Sequence, residues 1–204
     1  DQRIPRYTSY PTAPFWTPEF DAAAYGQHLS RNAGSDADLS LYIHIPFCEK
    51  HCLFCACNTI ITTKREVADD YIGWLDKETA QAVDLYKPAG RAVQLHFGRQ
   101  MARLLAGLRS KFDFHPRAEV SIEVDPRTAT PEDVHRLYEE HGFSRISFGT
   151  QDFSDETQTA IGREQTRDIT FANVKAARKA GFQSVNIDLI YGLPRQTAES
   201  WRET

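Results

Sequence analysis

Short stretches of this chain alternate apolar and polar residues with a period of two. Between them run longer stretches in which apolar residues recur every three or four positions. The first pattern predicts strands, whose side chains point to opposite faces in turn, and the second predicts helices. Strands are predicted at 41–46, 92–98, 118–124, 145–151 and 184–191, each β-branched or aromatic and closed by Gly, Pro or polar residues. A short helix near 20–29 precedes them. Val67, Tyr71, Trp74 and Leu75 mark one face of the helix after the first strand, and Met101, Leu104, Leu105 and Leu108 one face of the next. Thr130 as cap, Pro131 at the first helical position and the acids Glu132 and Asp133 open a third helix. Gly142 closes it, and Gly181 closes a fourth. Strand and helix in regular alternation predict an α/β fold with a parallel sheet and right-handed crossovers.

The polar half of each strand changes that picture. Parallel strands covered on both faces read as apolar throughout. Here Leu41, Ile43 and Ile45 oppose Tyr42 and His44, Ile122 and Val124 oppose Ser121, Glu123 and Asp125, and Ile187 and Leu189 oppose Asn186 and Asp188. The second and fourth strands repeat the split, with Gln94, His96 and Gly98, and Ser147, Gly149 and Gln151, on the polar side. A closed, packed barrel would carry Val, Ile or Leu at such positions. The prediction is therefore a curved, open sheet with helices outside and a wet concave side that takes a ligand. Ser121, Ser147 and His96 suit hydrogen-bonded supports. Glu123 and Asp188 ask for more, because a carboxylate inside a sheet is costly unless paired.

All four cysteines fall in ten residues, Cys48, Cys52, Cys55 and Cys57, directly after the first predicted strand. Ligands in parallel α/β folds sit at the strands' C-terminal ends, so this loop borders the same concave side. Disulfide frameworks spread their cysteines along small secreted chains, and no apolar signal segment precedes these. Structural zinc pairs two short clips a dozen or more residues apart; no second clip exists, although His51 or His44 could complete a set of four. The third reading is an iron–sulfur cluster. Such clusters are usually held by four thiolates, and three at this spacing would leave one iron open to a small molecule. Cys57 is then surplus, either a small buried hydrophobe or a residue near the substrate. The thiols argue for a reducing, cytoplasmic setting. With 204 residues, 41% hydrophobic, 25% charged and a formal net charge of −4, the chain has ordinary globular composition. It has no basic run to favour nucleic acid and no apolar stretch of the roughly 20 residues that span a bilayer.

The stretch Tyr42-Ile-His-Ile-Pro-Phe-Cys48-Glu-Lys-His-Cys52-Leu-Phe-Cys55 resembles the signature of the radical S-adenosylmethionine enzymes and, among them, the oxygen-independent coproporphyrinogen III oxidase (coproporphyrinogen dehydrogenase) family. Arg6-Tyr-Thr-Ser-Tyr-Pro-Thr-Ala13, Cys55-Ala-Cys57-Asn58, Ser121-Ile-Glu-Val-Asp-Pro-Arg127, Gln151-Asp-Phe153 and Asn186-Ile-Asp-Leu-Ile-Tyr-Gly-Leu-Pro194 are similar in kind and order. The resemblance implies a partial, open TIM-like (β/α)6 barrel over 41–204, with 1–40 as an N-terminal extension. It implies a [4Fe–4S] cluster on Cys48, Cys52 and Cys55, and Tyr42 and Phe54 packed beside cluster and cofactor. Gly98 and Glu123 would bind a first S-adenosylmethionine; Gln151, Arg163 and Asp188 would contact a second. Tyr42 and Cys57 are the candidate catalytic residues. The implied reaction uses a 5′-deoxyadenosyl radical to convert two propionates of coproporphyrinogen III to vinyl groups, giving protoporphyrinogen IX in haem biosynthesis. It would need an external electron donor and acceptor, in a monomer without nucleic-acid or membrane partners.

Two departures qualify the resemblance. The family's G-G-G-T-P-type loop after the second strand is reduced here to Gly98, which runs straight into Arg99. The family also continues with a sixth strand and a C-terminal domain, so residues 1–204 alone are expected to turn over little or no substrate. A haem-binding or haem-chaperone relative on the same scaffold is the alternative, disfavoured by Cys57 and the stretch 6–13.

Overall fold

The computed structural model describes residues 15, 17–64, 66–97 and 102–204. The stretch 6–13, Gly98 and Met101 lie outside the described residues. Seven strands and seven helices follow one another among those described. Five strands form one sheet in the order β1-β4-β5-β6-β7, every neighbouring pair parallel: β1 (Leu39–Ile43), β4 (Ala92–Phe97), β5 (Phe114–Val124), β6 (Arg145–Gln151) and β7 (Ser184–Leu189). β1 and β7 are its edges, so the described sheet is open, as predicted. The remaining two strands, β2 (Phe47–Cys48) and β3 (Ile60–Ile61), clip the cysteine loop.

Helices α1 (Ala22–Arg31), α2 (Glu66–Tyr86), α3 (Ala102–Lys111), α4 (Pro131–Glu139), α5 (Asp155–Ala160), α6 (Arg167–Ala180) and α7 (Ala198–Glu203) occupy the connections. α4 starts as its sequence dictates. The Thr130 hydroxyl accepts from the Asp133 amide while the Asp133 carboxylate accepts from the Thr130 amide, which satisfies two end donors at once. α6 ends on Gly181 in the left-handed conformation, φ +105°, which a glycine adopts without the Cβ penalty.

The core lies between the sheet and these helices. Phe97, Phe143, Phe148, Leu95 and Ile146 are fully buried, and Phe97 meets Phe143 edge to face at 5.7 Å. Leu104, Leu105 and Leu108 of α3 are buried as their spacing predicts. α2 departs from expectation. Its buried residues are Ala68 and Ile72, with Leu75 packed against the core, whereas Val67 and Trp74 are exposed. The small Ala68 lets the helix approach closely, and Trp74 keeps its indole at the surface under the Lys77 ammonium, 4.2 Å from the ring centroid. β5 also begins four residues early. Pro116, which cannot donate to a ladder, falls in a register shift between the Ala92–Phe114 and Gln94–Glu119 pairings. On the edge strand β7, Ile187 and Leu189 are exposed. No helix among the described residues is long and apolar enough to cross a membrane.

Candidate functional site

The cysteine loop leaves the C-terminal end of β1 and is closed at its base. The Ile60 amide donates to the Pro46 carbonyl at 2.6 Å, and the Thr62 amide to the Cys48 carbonyl at 2.9 Å. A turn holds its middle, Cys55 N–H to Cys52 O at 2.9 Å, and the Leu53 amide ties it to the Ile161 carbonyl at 3.0 Å. No disulfide links the four cysteines; Cys52 is buried, Cys48 and Cys55 are half-buried and Cys57 is exposed. All four line one cavity of about 460 Å³ at the strand ends. Among the described residues, no three His, Cys, Asp or Glu side chains close around a single metal ion; a polynuclear iron–sulfur cluster asks for less, because each thiolate binds a different iron. A neighbouring cavity of about 450 Å³ shares Cys48 and Glu123 but lies toward α4, among Asp133, Arg136 and His141.

One wall of the first cavity comes from β1, β4 and β5. The Tyr42 ring stacks on His96 at 5.7 Å and 8°, and on His44 at 6.3 Å and 22°. His44 Nε2 faces the Asn58 carbonyl at 2.9 Å, so Nε2 carries the proton, and Nδ1 is left to accept from the Tyr42 hydroxyl at 3.3 Å. His96 sits between the Ser121 hydroxyl (2.7 Å) and Glu123 Oε1 (3.3 Å). That hydrogen bond from His96 holds the Glu123 carboxyl below its ordinary range, against the opposing effect of burial. Burial, helped by the Glu123 and Cys57 charges, pushes the Tyr42 phenol up. Burial first and the neighbouring Cys55 second push the Cys57 thiol up as well, so it remains protonated at neutral pH.

The opposite wall is charged and buried. Asp125, just past β5, accepts from Arg127 Nη2 at 2.7 Å, and the same Oδ2 forms an ion pair with Arg163 Nη1 at 3.2 Å. Arg163 Nη1 also lies 3.1 Å from Cys52 Sγ, and Arg127 Nη2 lies 3.6 Å from it. Arg163 Nη2 donates to the Gly149 carbonyl. A Cβ at Gly149 would sit 3.3 Å from that guanidinium and 3.1 Å from Gln151 Nε2, so the missing side chain is what admits the arginine. Arg163 follows α5 and the tight turn at Gly162, φ +65°, and its amide bonds back to the Gln158 carbonyl at 2.9 Å. Burial is the main influence lowering its pKa, yet an arginine stays charged throughout the physiological range.

Most residues singled out in the sequence therefore meet. Tyr42, Phe54, Glu123, Gln151, Arg163, Asp188 and the four cysteines all line the same cavity. Asp188 accepts from the Ser147 hydroxyl at 2.7 Å, and Gln151 holds a left-handed backbone, φ +74°. Gly98 lies outside the described residues. Arg163 is buried, with Cys52, Asp125 and Gly149 enclosing its guanidinium. Arg127 had no assigned role, and Asp125 was legible only as a polar-face residue. The signal available was the Asp-Pro-Arg spacing, which lets Arg127 fold back onto Asp125 two residues earlier with three hydrogen bonds besides the backbone one.

The chain is similar to known proteins over nearly its whole length. The family described as the radical SAM superfamily matches residues 42–204. The chain is 46% identical over 210 residues to the oxygen-independent coproporphyrinogen III oxidase of Escherichia coli (strain K12), covering 98% of this chain and 45% of that protein. It is 39% identical to the protein of the same name from Synechocystis sp., covering 100% of this chain and 46% of the relative. The solved structure of the E. coli coproporphyrinogen III oxidase, a radical SAM enzyme, superposes with a TM-score of 0.87 at 42% identity, over 97% of this chain and 47% of that one. The chain thus spans about half the length of the curated relatives it matches.

Proposed function

The chain belongs to the radical SAM superfamily, and from that premise we propose that it is the barrel portion of an oxygen-independent coproporphyrinogen III oxidase. Residues 41–204 form that barrel portion and 1–40 an extension, of which α1 packs on α2. Membership implies a [4Fe–4S] cluster and S-adenosylmethionine. The observation that carries the reading is the convergence of three thiols with Glu123, Gln151 and Asp188 on one cavity, in a chain 46% identical to an enzyme of that name.

The donor set suits both groups. Cys48, Cys52 and Cys55 offer soft sulfur ligands, and two guanidiniums beside Cys52 offset the negative charge that thiolates bring. When bound, the two groups together supply one-electron, hydrogen-abstracting chemistry. The protein's part is to bind, orient and shield. Glu123, kept ionised by His96, offers an anionic acceptor to an ammonium or to ribose hydroxyls. Tyr42 offers a flat aromatic surface beside the loop. Gln151, Arg163 and Asp188 are proposed to contact a second S-adenosylmethionine, and Cys57, protonated and exposed at the cavity rim, to face the substrate. Gly98 would approach the first cofactor. Coproporphyrinogen III is the proposed substrate, with an external donor and acceptor of electrons, and the reduced thiols favour a cytoplasmic setting.

The test is anaerobic reconstitution of the full-length protein. The expected outcome is iron and sulfide bound, an electron paramagnetic resonance signal that changes on adding S-adenosylmethionine, and 5′-deoxyadenosine released as porphyrinogen is consumed. Zinc without sulfide, or a signal indifferent to the cofactor, would sink the proposal.

A further inference from the structure

Cys52 is gripped by charge. Arg163 Nη1 and Arg127 Nη2 each face both Cys52 Sγ and Asp125 Oδ2, so four atoms close a small diamond, with sulfur and carboxylate oxygen at opposite corners. Its sides are 3.1 and 3.6 Å to sulfur and 3.2 and 2.7 Å to oxygen. The side chains of Arg163, Asp125 and Arg127 are only 8%, 10% and 15% exposed, so water screens these contacts weakly. Two guanidiniums meet one carboxylate oxygen here, and both also face the Cys52 sulfur. Arg163 Nε is buried without a hydrogen-bond partner, a cost that the arrangement bears.

Cluster potentials respond to hydrogen bonds on the ligating sulfurs and to nearby charge. A cationic donor on a ligating thiolate favours the more negative, reduced cluster and raises its potential. A carboxylate in the same ring works in the opposite direction. From this diamond we infer that Arg127, Arg163 and Asp125 are positioning residues that fix Cys52 and set the reduction potential of the cluster it helps hold. The inference rests on the reading of Cys52 as a cluster ligand. It assigns Arg127 and Asp125 a role, and it gives Arg163 a task independent of any cofactor contact.

The test is a redox titration of the anaerobically reconstituted full-length protein, without S-adenosylmethionine, followed by electron paramagnetic resonance. In Arg127→Gln the ratio of reduced to oxidised cluster at a fixed poise falls on the order of tenfold, a midpoint about 59 mV lower for a one-electron couple. In Asp125→Asn the midpoint moves the other way. Opposite shifts support the inference, because loosened packing would not reverse sign with charge. Midpoints in both variants indistinguishable from the unaltered protein would overturn it. Should Arg127→Gln hold little iron, Asp125→Asn is read by itself, where a raised midpoint supports the role and an unmoved one refutes it. An unaltered protein that binds no iron sinks the cluster reading itself, whereas an iron-loaded one with unmoved midpoints sinks only this inference.

Discussion

The two walls of the cavity are built on opposite principles. On the β1–β4–β5 side, Tyr42 is 67% exposed and the Glu123 side chain 64% exposed, and their contacts to His44 and His96 are long, 3.3 Å each. On the side formed by the end of β5 and the turn after α5, Arg163 and Asp125 are nearly covered. An exposed ion pair contributes about 0–1 kcal/mol, whereas removing one partner of a buried pair costs roughly 3–5 kcal/mol. The first wall therefore keeps its polar groups available to a ligand at small cost to the fold. The second commits its charges to the protein and holds the loop. A site of this kind separates the surface that binds from the framework that positions.

That contrast breaks most visibly at the cysteines. Cys52→Ser is expected to reduce cluster iron after anaerobic reconstitution to near background, because a ligand and its guanidinium anchors are lost together. Cys57→Ser, altering an exposed thiol at the same rim, should retain iron. Equal iron loss in the two variants would erase the distinction between holding and facing residues. The next effect is on stability. Arg163→Ala strands part of the Asp125 charge and opens the Cys52 contact, and is expected to cost about 3 kcal/mol. In a chain of this size that lowers Tm by roughly 6–12 °C, read by circular dichroism. Glu123→Gln on the open wall should change stability by less than about 0.5 kcal/mol, while weakening S-adenosylmethionine binding by about tenfold, as loss of a charge-assisted hydrogen bond of roughly 1.5 kcal/mol implies. Comparable losses of stability in the two variants would show that the walls do not differ.

Legibility in the sequence followed the same division. The open wall could be read from period-two alternation, because Tyr42, His44, His96 and Glu123 take their direction from the strand they sit on. The loop was legible from the crowding of its cysteines. The closed wall was legible only in pieces: Asp125 followed the polar face of its strand and Arg163 came from the resemblance, but Arg127 had no signal of its own, and the meeting of the three depends on how α5 brings the turn at Gly162 against the loop. The same limit applied to α2. The pattern fixed a helix there but not its phase, since Ala68 is as compatible with the surface as with a tight contact, and Trp74 with either.

The smallest predicted effect concerns acidity on the open wall. The hydrogen bond from His96 depresses the Glu123 carboxyl, and the His96 charge adds to it, while burial works against both. A carboxyl whose folded-state pKa is depressed contributes stability that is fully present above its unfolded value and is lost as pH falls through the folded one. The Glu123–His96 contact should thus persist across the neutral range and down through ordinary glutamate pKa values, disappearing only below them. His96→Gln removes both the ring donor and its charge, so the Glu123 carboxyl should titrate at higher pH. Carbon-detected NMR of the Glu123 side chain, with and without the substitution, reads the shift directly. An unchanged titration would mean that the 3.3 Å contact is too solvated to matter, and that the open wall orients Glu123 through its strand alone.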